Sequence, residues 1–139
     1  METKYLEQLV RQVVEELLHG GVKKVPIPTL TVSEADRLDT GKSGDRVYTH
    51  DLFSLEESPR LGAGIMEMTD SQFPWTLTYD EMDYIIEGRL DIHEGDRVTS
   101  AGAGELIYLP KGSKIEFGAQ GHCRFLYVVT PANWQSVSG

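Results

Sequence analysis

Apolar and polar positions along this chain follow two different rhythms, and the change falls near residue 25. In residues 3 to 18, TKYLEQLVRQVVEELL, Leu6, Leu9, Val10, Val13, Val14, Leu17 and Leu18 recur at steps of 3, 1, 3, 1, 3 and 1, which makes one apolar stripe on a helix. Thr3 is the expected N-cap. His19, Gly20 and Gly21 are the expected C-terminus, with His19 suited to the negative end of the helix dipole and glycine free to leave the last turn. A helix this short is marginal in water unless its stripe meets a surface, on its own domain, on a second subunit or in a groove of another protein. The next stretch, GGVKKVPIPTL, holds two glycines and two prolines and reads as a hinge. The division is therefore helix and hinge over 1–25 and one domain over 26–139.

Beyond the hinge the chain turns to short extended runs broken by turn residues. The candidate strands are 46–53, 62–68, 73–78, 81–87, 89–94, 97–100, 104–109, 114–118 and 122–129, separated by EGR, EGDR, AGAG, PKG and AQGH. This is the punctuation of an all-β sandwich or barrel. LDIHEGDRVTS predicts a hairpin with Gly95-Asp96 as its two-residue turn. Residues 33–45, SEADRLDTGKSGD, predict a polar excursion over the surface.

Charge removes several functions. Thirteen Lys and Arg against 22 Asp and Glu leave a net charge of −9, and the basic residues do not cluster, so nucleic acid and anionic membranes are excluded as expected partners. One cysteine, Cys123, forms no internal disulfide, and the N-terminus lacks the pattern of a secretory leader, which together predict a cytoplasmic protein. No apolar stretch approaches the roughly 20 residues of a membrane span.

The spacing of glycine, proline and glutamate resembles the cupin superfamily, jelly-roll β-barrels with two signature segments. In the first, FPWTLTYDEMDYIIEG, Glu81 and Gly88 hold register, but the two histidine positions fall on residues such as Trp75 and Leu77. In the second, Gly104, Pro110 and Gly112 fit, and the histidine position is Ile115. A transition metal needs several convergent imidazole or carboxylate ligands, and Glu81 is the one that remains. His19, His50, His93 and His122 form no short-range pair that would replace them. No tightly bound transition metal is expected.

FPWTLTYDEMDYIIEG, YLPKGSKIEFG and the ending RFLYVVTPANW are similar to the EutQ family, cupin proteins of ethanolamine-utilisation operons associated with bacterial microcompartments. The resemblance implies an all-β cupin barrel that forms a homodimer, and acetate kinase activity with ATP or ADP and magnesium. It also implies a part in compartment assembly, with the stripe Leu6, Leu9, Val10, Val13, Val14, Leu17 and Leu18 meeting shell or cargo proteins. A small-molecule-binding or sensing cupin without catalysis is the alternative.

Phosphoryl transfer asks for positioning and for positive charge on phosphate oxygens. Gly41-Lys42-Ser43 ends like a P-loop, but Asp36 stands where the loop needs its first glycine. Strand alternation puts Tyr79, Glu81, Asp83 and Ile85 on one face, the inward one in the cupin register. Residues two apart on a strand are roughly 7 Å apart, so Glu81 and Asp83 are the expected carboxylates for Mg²⁺. Lys111 and Lys114, with Arg60 or Arg124, are the expected phosphate partners, and Trp75, Tyr79, Tyr84, Ile115 and Phe117 the expected ligand contacts. An apolar pocket around Glu81 predicts a carboxyl that holds its proton above the usual pH range.

Overall fold

The computed structural model describes residues 2–19 and 21–136, apart from the side chains of Glu2, residues 15–19 and Ser136. Helix α1 runs Glu2–His19, so Thr3 lies inside it rather than capping it. Leu6, Leu9, Val10, Val13 and Val14 are all exposed. The side chains of Leu17, Leu18 and His19, and all of Gly20, lie outside the described residues.

The remainder is antiparallel sheet: β1 Arg46–Asp51, β2 Gly62–Thr76, β3 Asp80–Glu87, β4 Arg89–Glu94, β5 Arg97–Gly102, β6 Leu106–Leu109 and β7 Lys114–Thr130. The two predicted runs 62–68 and 73–78 are one strand, and so are 114–118 and 122–129. Polar and glycine residues at 69–72 and 118–121 mark a bend, not an end: β2 and β7 pair along their whole length and shift register between Thr69 and Ser71. Asp70 takes φ +44 there, and its Oδ1 accepts a 2.7 Å hydrogen bond from the Gly121 amide. Aspartate tolerates this conformation better than most residues because its side chain can satisfy a nearby donor.

The bend lets one ribbon serve two layers. The first half of β2 and the second half of β7 join β1, β3 and β6, whereas the other halves join β4 and β5. The ladder folds over on itself, and Val47, Met68, Phe73, Ile85, Leu90, Phe117 and Phe125 fill the space between the layers. The hairpin turn is at Gly95-Asp96 as expected, with Glu94 opposite Arg97. Residues 33–45 are mostly exposed. They are tied down by the pair His50–Asp36 at 3.0 Å and by the bridge of Arg37 to Tyr48.

The stretch after the hinge is held on the outside of the barrel. The Arg124 guanidinium reaches the Ile27 carbonyl at 2.8 Å and the Glu67 carboxylate at 2.7 Å, which fixes residues 27–32 along a groove lined by Tyr84, Ile86 and Leu126.

Candidate functional site

Inside the barrel is a cavity of about 500 Å³. Its walls come from β1, the 52–58 loop, both long strands, the start of β3 and the C-terminal turn. Aromatic rings dominate it: Phe73 stacks on Phe117 with centroids 5.4 Å apart, and Trp134 stands 4.7 Å from Tyr79 and 5.9 Å, nearly edge-on, from Trp75. The Trp75 indole N–H donates to the Tyr79 hydroxyl at 2.7 Å, which sets both rings. The Tyr127 hydroxyl donates to Asp51 at 2.8 Å.

Alternation on β3 sends Glu81 inward to the cavity with 4 % exposure. Burial raises its proton affinity, and interactions with Asp83 and then Tyr79 offset part of that rise. Asp83, the next inward residue, is fully buried, does not line the cavity and has no hydrogen-bond partner of good geometry for either carboxyl oxygen. Burial first, then the Glu81 carboxyl beside it, holds its proton well above the usual carboxylate range. Charging both groups would place two like charges in a region poor in solvating dipoles, so both carboxyls are held toward their protonated forms. The Tyr79 and Tyr127 hydroxyls are pushed upward too, chiefly by burial and then by Glu81 and Asp51 respectively.

The structure gathers some of the expected site residues and disperses others. Trp75, Tyr79, Glu81 and Phe117 line the cavity. Asp83 lies behind Glu81, out of reach of a ligand that keeps its water shell. Tyr84 does not join them: it points to the other face of β3 and is 44 % exposed, as the alternation that turns Glu81 inward requires. Ile115 is buried opposite Trp75 in the β2–β7 ladder but is not part of the lining. Lys111 and Lys114 are exposed and also outside it. Arg60 is exposed at the surface, and Arg124 belongs to the outer groove. Among the described residues, no Lys, Arg or His lines the cavity. No group of three or more His, Cys, Asp or Glu side chains is arranged to hold a metal ion.

Sequence reasoning missed Asp51 and the 52–58 loop as walls of the site. Period-two alternation from Phe125 would have found Tyr127, because both face inward on one strand. Nothing in the local sequence of the loop signals that it folds over the cavity.

A doubled-over antiparallel ladder is also the fold of known cupin domains. The cupin domain of a Schizosaccharomyces pombe protein superposes with a TM-score of 0.61 over 83 % of this chain and 78 % of that one, at 13 % identity. The fold is that of the cupin class. Within it the chain belongs to the family described as ethanolamine utilisation protein EutQ, which residues 1–136 match. A relative called acetate kinase EutQ from Clostridioides difficile is 50 % identical, covering 98 % of this chain and 96 % of its own. One of the same name from Salmonella typhimurium is 36 % identical over 98 % of this chain and 66 % of its own. The solved structure of the Clostridium difficile EutQ protein gives a TM-score of 0.83 at 55 % identity, covering 87 % of this chain and 88 % of that one.

Proposed function

We propose that this chain acts in ethanolamine utilisation as an acetate kinase, moving a phosphoryl group between acetyl phosphate and ADP, with the barrel cavity as its seat. Relatedness along nearly the whole chain carries the reading: a 50 % identical protein of that name aligns with 98 % of it. The cavity lining holds the carboxyls of Glu81, Asp51 and Glu57, and of these Asp51 and Glu81 both raise the proton affinity of the Tyr127 hydroxyl. This donor set fits Mg²⁺, which takes one or two carboxylates and keeps several waters. Glu81 and Asp51 would hold it, in place of the Glu81–Asp83 pair that strand spacing suggests, because Asp83 is sealed in the core. When bound, the ion supplies the positive charge that phosphoryl oxygens require and the lining lacks. Tyr79, whose hydroxyl accepts from Trp75, keeps its own proton as a hydrogen-bond donor, and the rings of Trp75 and Trp134 offer flat faces to a nucleotide base.

A coupled assay for ATP formation from acetyl phosphate tests this. Glu81→Ala is expected to lower turnover about 100-fold or more while circular dichroism stays unchanged. Undiminished turnover in the double variant Glu81→Ala, Asp83→Ala would assign the activity to a contaminating kinase.

A second reading rests on the uncovered stripe of α1. Here the chain is an assembly or adaptor protein of a cytoplasmic microcompartment, and Leu6, Leu9, Val10, Val13, Val14, Leu17 and Leu18 engage a shell or cargo protein. The barrel is then a homodimeric platform, pairing through Met82, Tyr84, Leu106 and Tyr108, four exposed residues on β3 and the edge strand β6. Removing residues 1–25 should keep turnover and abolish recruitment of a fluorescent fusion to compartments; retained recruitment would dismiss the helix. Leu106→Glu should convert a dimer to a monomer in light scattering.

A further inference from the structure

The charge balance of the cavity identifies a different kind of ligand from the phosphorylated ones. Its lining holds the carboxyls of Asp51, Glu57 and Glu81 and, among the described residues, no basic side chain. Both tryptophans of the chain, Trp75 and Trp134, stand in its wall with Tyr79 beside them. Glu81 is almost wholly buried yet faces this space. Behind it lies Asp83, whose two oxygens have no partner. An anion entering here without a metal ion finds no countercharge among the described lining residues. A neutral apolar molecule leaves the carboxyl of Glu81 desolvated without compensation.

We propose that the barrel cavity is a binding site for small organic ammonium ions. The N–H groups of such an ion donate charge-assisted hydrogen bonds to the Glu81 carboxylate. Its positive charge lies against the faces of Trp75, Trp134 and Tyr79, where aromatic quadrupoles attract cations. A short alkyl tail fills the remaining volume against Phe73 and Phe117. This goes beyond the kinase reading and does not rest on it: binding is measurable whether or not the chain turns over acetyl phosphate. If the cavity is also the kinase seat, the ammonium ion competes with the metal there.

The test titrates the full chain with propylammonium chloride at constant ionic strength. Binding is followed by calorimetry and by fluorescence, which reports directly because both tryptophans line the site. Propylammonium is expected to give saturable binding. Propan-1-ol and propionate at the same concentration are expected to give none. Glu81→Gln, which keeps the size of the side chain, should weaken binding about tenfold or more, and Trp134→Leu should weaken it in a folded protein. Absence of saturable binding by both methods, equal binding of propionate, or unchanged affinity in Glu81→Gln would overturn the proposal. Loss of kinase activity alone would not.

Discussion

Asp83 shows how one side chain can work against the fold that contains it. Its carboxyl is buried, unpartnered and held protonated above its ordinary value of 3.8. The folded state therefore binds the proton more tightly than the unfolded chain. The stability this group contributes is fully present below about pH 4 and is lost as pH rises through the folded value. Asp83→Asn is expected to melt close to wild type at pH 4 and several degrees higher at pH 8, as measured by calorimetric scans at both pH values. A gain that does not grow with pH would mean that the carboxyl is not the cause. Cys123 makes the complementary case: it is fully buried and its thiol is pushed up to about 12, chiefly by burial. A thiol without thiolate is a poor nucleophile, so Cys123 should stay inert to an aromatic disulfide reagent at pH 8 until the protein is unfolded.

Among the elements, the paired strands β2 and β7 determine the architecture, because each contributes to both layers. Turns then set how the shorter strands meet them. Gly88, between β3 and β4, has φ +78, and a Cβ added there would run into the His122 carbonyl oxygen of β7, a backbone atom that cannot swing aside. Gly88→Ala combines left-handed strain with that collision and is expected to cost about 2 kcal/mol or more in urea unfolding. Gly95 also has positive φ, but space for a Cβ is open there, so Gly95→Ala should cost less, about 1 kcal/mol.

For the whole molecule, the described side chains of α1 add no buried apolar surface to the barrel. The apolar residues described on α1 are exposed, whereas residues 27–32 are tied to β7 through Arg124. Removal of residues 1–25 is expected to shift the melting temperature by no more than about 2 °C. A larger drop would show that the stripe rests on the barrel in solution. Among the described residues no helix is long and apolar enough to cross a membrane.

The local sequence determined the helix, the hairpin at Gly95-Asp96 and the inward set Tyr79, Glu81, Asp83 and Ile85, because each follows from a repeat of 3.6 or 2 residues or from the backbone freedom of glycine. The cupin class was legible from glycines, a proline and a glutamate that keep their spacing where histidines are gone, and the EutQ family from the stretches FPWTLTYDEMDYIIEG, YLPKGSKIEFG and RFLYVVTPANW. Tertiary structure decided which inward residues face a cavity and which are sealed behind them: Glu81 and Asp83 share one strand face, yet only Glu81 lines the space. It also decided that the breaks at 69–72 and 118–121 are bends within two long strands, and that Asp51 and the 52–58 loop close over the site while Lys111 and Lys114 remain outside. Periodicity names the face of a strand, but depth within a barrel depends on how the ladder folds over, which long-range pairing of β2 with β7 sets and no local pattern encodes.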